Sequence, residues 1–482
     1  MILIQLDKSK KKLYQQIYNQ IVELIKSGSL HVGETLPSTR KLAELTGVNR
    51  TTVYRAYQEL WAAGYIESTE GGYSKVRQAV ERTEGIKEES SEILNWNNQF
   101  SDLASSLLED SDFSSEAKLN FRLLSPDHML MPVQAFRQSI NRVLQEKGSE
   151  VLDYNQSEGY YPLREYIARQ MQQHGIHCES EQIMMTNGMQ NGLELLTRTL
   201  ANPRDIILCE NPTYGIMLQL AKHLGIRVHG VSMIREGMDL SELESKIIEY
   251  KPKFIYTIPT FHNPTGITTS YSHREKFYAI CKKYKVPILE DGFEEDMKYF
   301  GKAIVPIKSM DKNNLVIYLG TFSKVLFPGI RVGWFVAPKE VVAKAANLKR
   351  IFELSSVTLT QAAILDFCKN GNYDLHKKRL HRSYKKRMQV ALQACRKYLP
   401  LDKVSYTKPN GGYLIWFSLK IESCNEEGFI GILLKNGVAV SPGRRFFVSD
   451  TNQVCFRLSI SSRSEEEIEE GIKVIGNTVN SL

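Results

Sequence analysis

Residues 78–118 hold ten Asp and Glu against three Lys and Arg, among many Ser, Glu and Asn and few apolar side chains (Ile93, Leu94, Trp96). Such a stretch buries too little apolar surface to offset the entropy lost on ordering it. It reads as an acidic flexible linker and divides the 482-residue chain in two. The head, residues 1–77, has 11 Lys/Arg and 7 Asp/Glu, a net charge of +4. The body, residues 119–482, has 48 and 37, a net charge of +11. A docking strip against a basic surface is the other reading of the linker.

The body far exceeds a simple ligand-sensing module. Short apolar strands (Ile206–Cys209, Phe254–Ile258, Ile288–Glu290, Val316–Leu319 and Val332–Val336) alternate with segments of helical period. That alternation predicts an α/β fold with a mostly parallel sheet. No apolar run reaches the roughly 20 residues that span a bilayer. The N-terminus lacks an apolar signal segment with a cleavage site. A cytoplasmic, non-membrane protein is the expectation. The seven cysteines are scattered and none forms a CxxC pair, so they read as reduced, buried thiols with no metal site among them.

In the head, Leu13, Ile17, Ile21, Leu24 and Ile25 recur at helical spacing over 13–27. Pro37-Ser38 opens a second helix with Leu42, Ala43 and Leu45 as its apolar face. Thr46-Gly47-Val48-Asn49 is a turn, and a third helix follows from Arg50 to about Ala63, burying Val53, Tyr57 and Leu60. This is a helix-turn-helix pattern. Gly64-Tyr65-Ile66 and Glu70-Gly71-Gly72-Tyr73 read as the two strands of a wing. Arg50, Thr51, Thr52 and Arg55 lie where a recognition helix meets base edges, and Arg and Thr suit guanine acceptors and thymine methyls. Ser38 and Arg40 are placed to contact phosphates. The partner implied is double-stranded promoter DNA.

The head resembles the winged helix-turn-helix of the GntR superfamily. The resemblance rests on Tyr14-Gln15-Gln16-Ile17, the run from Gly33 to Arg40, Leu42-Ala43, and Val48 to Val53, continued by Leu60, Gly64 and Ile66. The wing departs from it, since Glu70 to Tyr73 lacks the basic residue often found there.

In the body, Gly320-Thr321-Phe322-Ser323-Lys324 follows a strand, and Arg331 lies seven residues beyond the lysine. Small hydroxyls and an arginine suit a phosphate. A lysine among them can form an imine with a carbonyl. Asp291 follows the strand Ile288–Glu290, where a carboxylate could hold a proton on the pyridine nitrogen of pyridoxal 5'-phosphate. Asn263, in Phe261 to Gly266, can donate to that cofactor's phenolic oxygen. Thr186 to Gln190 precedes a helix whose first amides could receive the phosphate.

Together these motifs resemble the fold type I, class I aminotransferases. With the head in front, the chain looks like a MocR-type, GabR-like regulator of the GntR superfamily. The resemblance implies Lys324 as the Schiff-base lysine, Asp291 at the pyridinium and Asn263 at the ring oxygen. It implies Thr321, Ser323, Arg331, Gly188 and Met189 around the phosphate, and Tyr214 stacked on the ring. It implies Tyr154 reaching the phosphate of the neighbouring subunit, and hence a homodimer. Arg457, in Phe456-Arg457-Leu458-Ser459, matches the clamp on a substrate α-carboxylate, and Gly411-Gly412-Tyr413 also fits. The sequence departs at Phe293, where aminotransferases usually carry a tyrosine that bonds the phenolic oxygen. One donor fewer would leave the imine protonated to higher pH.

The expectation is a regulator that senses the cofactor or a small amino compound through Lys324. The alternatives are a working aminotransferase with a DNA-binding head, in which Lys324 also shuttles a proton, and a body used only for dimerisation.

Overall fold

The computed structural model describes residues 4–7, 12–68, 73–77, 94–101, 104, 117–292, 297–302, 304–421 and 425–482. The chain divides into two compact units, Met1–Ser105 and Ser106–Leu482.

Among the described residues the first unit holds three α-helices, α1 (Leu13–Lys26), α2 (Thr39–Thr46) and α3 (Arg50–Ala62). Ile17, Ile21, Leu42, Val53, Ala56 and Leu60 form its core. Two caps set the turn between α2 and α3. Gly47 ends α2 in the left-handed region at φ 64°, where an L side chain is strained. Asn49 then accepts the Thr51 amide and starts α3. Leu45 is 50% exposed rather than part of the apolar face. It lies two residues, about 200° of helix, beyond buried Ala43. The wing strands sit later than the sequence predicts. β1 (Ile66–Ser68) pairs antiparallel with β2 (Ser74–Val76), and Glu70, Gly71 and Gly72 lie outside the described residues.

The second unit opens with β3 (Leu119–Asn120), which pairs with β14 (Val438–Ala439). Its main sheet uses β4 (Ile183–Thr186), β5 (Ile206–Asn211), β6 (Arg227–Ile234), β7 (Gly237–Met238), β8 (Ile255–Thr257), β9 (Ile288–Asp291), β10 (Val316–Thr321) and β11 (Gly333–Val336). Their order is β4-β11-β10-β9-β8-β5-β6-β7. The neighbours from β10 through β9, β8 and β5 to β6 are parallel, while β11 runs against both of its neighbours. Five expected strands are therefore present, lengthened or shortened by one or two residues. The central ones are buried on both faces, as parallel strands between helical layers must be. Ile317, Leu319 and Phe335 pack on one face, and Tyr318, Phe322 and Trp334 on the other.

A smaller antiparallel sheet follows, in the order β12 (Val404–Tyr406), β13 (Leu414–Leu419), β16 (Cys455–Ser459), β15 (Ser441–Pro442). It packs against the long helix Asn372–Tyr398 and the C-terminal helix Glu465–Asn480. Cys209, Cys281, Cys368, Cys395 and Cys455 are buried free thiols, and burial pushes each of them up. Cys424 lies outside the described residues. No helix among the described residues is long and apolar enough to cross a membrane.

Candidate functional site

Four consecutive parallel strands of the main sheet deliver the sequence-predicted residues to one edge. Ordered β10, β9, β8, β5, their C-terminal ends lead to Lys324, Asp291, Asn263 and Tyr214. Ligands of open α/β sheets bind beyond these strand ends.

Lys324 sits in the turn after β10, and its Nζ donates to Leu124 O at 2.7 Å. Asp291 is the last residue of β9 and is buried. Its Oδ2 accepts the phenol of Tyr256, on β8, at 2.6 Å. Burial, reinforced by the Asp291 charge, holds Tyr256 well above the ordinary phenol range, so Tyr256 stays a donor. Tyr214 caps the helix Gly215–His223, and burial with Asp291 nearby pushes it up to about 12.

Asn263 and Arg457 are both buried and are joined directly. Arg457 Nη1 donates to Asn263 Oδ1 at 2.9 Å, and its Nη2 donates to Arg122 O at 2.8 Å and Ser441 Oγ at 3.1 Å. The Asn263 amide group is thereby turned so that its nitrogen is the end directed away from Arg457. His262 precedes it, with Nδ1 2.8 Å from Thr265 Oγ1, and burial pushes the imidazole down to about 3.

The residues expected around a phosphate lie close together. Thr321 Oγ1 accepts the Ser323 amide at 3.0 Å. Ser323 Oγ is buried without a hydrogen-bond partner among the described residues. Arg331, in the left-handed region at φ 48°, donates from Nη2 to Asn187 O at 3.3 Å. Gly188 caps the helix Met189–Leu200. Its own amide donates to Thr186 O at 2.9 Å, so what it offers is space. A Cβ there would stand 2.5 Å from Arg331 Nη2. Beside these residues an open hollow of about 260 Å³ is lined by Asn187, Ile330, Arg331, Val332, Val357 and Gln361.

Tyr154 stands apart, 79% exposed on a loop. Phe293 lies outside the described residues. In the head, Arg50, Thr51 and Arg40 are exposed and Thr52 is half-buried. Ser38 uses its oxygen to cap α2, accepting the Lys41 amide at 3.2 Å. Arg55 is exposed but leans on the Tyr14 ring, 4.1 Å from its centre, and toward Glu59. Tyr54, 55% exposed, joins Arg50 and Thr51 on the outer face of α3.

Sequence reasoning missed Tyr256, Tyr54, and a pair on the helix Lys339–Glu353, Lys349 and Glu353. Tyr256 was concealed inside a strand read only for its apolar residues. Glu353 accepts from Asn187 across 166 residues of chain, a separation that no local pattern encodes.

A model of the aminotransferase class I and II family matches residues 121–475. A model of bacterial regulatory proteins of the gntR family matches residues 13–76. The chain is 31% identical to YisV, an uncharacterized HTH-type transcriptional regulator of Bacillus subtilis (strain 168), over 98% of its own length and 97% of that protein's. It is similar to the crystal structure of a multiple substrate aminotransferase from Thermococcus profundus, with a TM-score of 0.76 and 30% identity, covering 80% of this chain and 99% of that one. LysN, the α-aminoadipate aminotransferase of Thermus thermophilus, solved with N-(5'-phosphopyridoxyl)-L-leucine, gives 0.74 and 29% over 80% of this chain and 99% of its own. The likeness to YisV runs through the head as well as the body.

Proposed function

The chain belongs to the aminotransferase class I and II family, joined to a GntR-type helix-turn-helix head, and from that premise we propose that its body holds pyridoxal 5'-phosphate and an amino-compound effector that together set how the head grips promoter DNA. It is a DNA-binding transcriptional regulator of this two-part kind. The observation that carries the cofactor reading is the delivery of Lys324, Asp291, Asn263 and Tyr214 by four adjacent parallel strands.

The residues fit the cofactor. The unsatisfied Ser323 hydroxyl and the glycine-only gap between Gly188 and Arg331 suit an anionic phosphate. When bound, the cofactor supplies an aldehyde that condenses with a primary amine and a ring that withdraws electrons. Lys324 offers the amine. Asp291, steadied by Tyr256, keeps a proton on the ring nitrogen. Asn263, turned by Arg457, donates its amide hydrogen to the ring oxygen. Tyr214 would stack on the ring face. Thr321, Ser323, Arg331 and Met189 hold the phosphate, and Arg457 holds the effector's carboxylate. The head contacts DNA through Arg50, Thr51, Thr52 and Arg55, with Ser38 and Arg40 at phosphates.

The working unit is a homodimer. Val357, an exposed apolar residue, lines the open hollow beside Arg331, and Leu152, Ile351, Phe352 and Leu354 are exposed apolar residues as well. Exposed apolar side chains of this size suit a partner surface. A second copy would cover them and bring its own Tyr154 to the phosphate. We assign residues 1–77 to the DNA-binding domain, 78–118 to the linker and 119–482 to the effector domain. A reader of promoter DNA of this family works in the cytoplasm.

An effector shifts the body between states only by its difference in affinity for them. The test is a footprint upstream of the protein's own gene, with and without the cofactor and candidate amino acids. A footprint that changes with them supports the regulator. Sustained keto-acid production from an amino- and keto-acid panel, at about 1–1000 per second, with an indifferent footprint, supports an enzyme instead.

A further inference from the structure

Glu353 ends the helix Lys339–Glu353, and its two oxygens accept Asn187 Nδ2 at 2.8 Å and Asn191 Nδ2 at 2.7 Å. Asn191 Oδ1 accepts the Asn187 backbone amide at 3.0 Å. Arg331 holds the Asn187 carbonyl from the other side. The turn leading into the helix Met189–Leu200 is therefore clamped by Arg331 of the phosphate motif and by Glu353 and Asn191, which lie outside it.

Behind Glu353 lies a buried cation. Lys349, one turn earlier, is 1% exposed, and its Nζ lies 3.8 Å from Glu353 Oε2. That nitrogen donates to Met185 O at 2.9 Å and to Ser356 Oγ. Burial pushes Lys349 down to about 8. The Glu353 carboxylate has two amide donors and a nearby ammonium.

A negative charge beside an anion cup opposes the anion by charge alone. Glu353 can serve the cup only through geometry. Both its oxygens are occupied by amide donors, and charge-assisted bonds of this kind are the stronger ones. They hold the turn so that the first-turn amides of the helix Met189–Leu200, which have no partner within the helix, face one place.

We propose that Glu353, backed by Lys349, is a positioning residue for the cofactor phosphate, acting through Asn187 and Asn191 on the turn that opens the helix Met189–Leu200. The inference rests on the cofactor reading above. Glu353 touches no cofactor atom in this scheme. Its effect is confined to the phosphate end and does not extend to the aldehyde end.

That confinement supplies the test. The full chain and two variants, Glu353→Gln and Asn191→Ala, are titrated by absorbance with pyridoxal 5'-phosphate and with pyridoxal, which has the aldehyde but no phosphate. Glu353→Gln sets an amide donor against an amide donor, and Asn191→Ala removes a partner from the opposite side. Either variant suffices if the other fails to fold. The expected result is about a tenfold rise in Kd for the phosphorylated cofactor, the scale of one lost charge-assisted bond, with pyridoxal binding unchanged. Equal weakening of both ligands, or affinities within about twofold of the parent, overturns the proposal while leaving the cofactor reading intact. A parent chain that binds no pyridoxal 5'-phosphate overturns the cofactor reading itself, and this proposal with it.

Discussion

Tyr256 donates its phenolic hydrogen to Asp291 Oδ2 at 2.6 Å, reaching from β8 to the end of the neighbouring β9. The bond leaves one carboxylate oxygen committed to a buried donor that does not ionise in the working pH range. Tyr256→Phe removes that donor from a charged acceptor, a loss of about 1.5–3 kcal/mol. The expected outcome is a lower melting temperature without cofactor and an order-of-magnitude weaker cofactor titration. An unchanged titration would separate Tyr256 from the site.

Glu210 carries a pH dependence of stability. Its carboxyl accepts the Thr257 hydroxyl and the Ile258 amide, yet Oε2 is buried without a partner among the described residues, and burial pushes the group up to about 7. The folded state therefore binds the proton more tightly than the unfolded chain, whose glutamate titrates near 4.5. This contribution is full below pH 4.5 and is lost as pH rises through about 7. Glu210→Gln imitates the protonated form. It should stabilise the body at pH 8, by denaturant melts, and give no advantage at pH 5.

His262 acts in the opposite direction. Its folded value of about 3 lies below the ordinary 6.5, because burial disfavours the imidazolium. The stability it contributes is complete above pH 6.5 and declines as pH falls toward 3. His262 also borders Asn263, so acid should loosen the loop that holds that amide. His262→Gln should flatten the acid limb of the stability profile, and hydrogen exchange over residues 261–266 at pH 5 checks the local effect.

Arg50 and Arg55 separate reading from folding in the head. Arg50 is exposed at the start of α3, its Nε 3.4 Å from Thr39 Oγ1. Arg55 packs on the Tyr14 ring. Arg50→Ala should weaken operator binding by about 1–3 kcal/mol, the scale of a lost base contact, with the melt of the head unchanged. Arg55→Ala should also lower that melt, since a cation–π contact contributes about 0.5–1 kcal/mol. Fluorescence anisotropy and circular dichroism on the same samples distinguish the two.

Helical spacing alone located α1 and α3 to within a residue, because their buried positions repeat cleanly on one face. The strands ending at Asp291 and Thr321 were legible as short apolar runs, since both faces of a central parallel strand are covered. Local reading failed where partners come from far along the chain. Nothing near Tyr256 marks it as the donor to Asp291, and Arg457 reveals its grip on Asn263 only once β16 and the loop after β8 meet. Leu45 was misplaced because composition in a short helix says little about which side is buried.

The ε-amine of Lys324, 2.7 Å from Leu124 O in the structure, is the atom on which the cofactor assignment turns. The protein is equilibrated with pyridoxal 5'-phosphate, reduced with borohydride, digested and analysed by mass spectrometry. The expected result is one phosphopyridoxyl group, on the peptide containing Lys324, absent from a Lys324→Ala variant. A label spread over surface lysines, or retained by that variant, would contradict it.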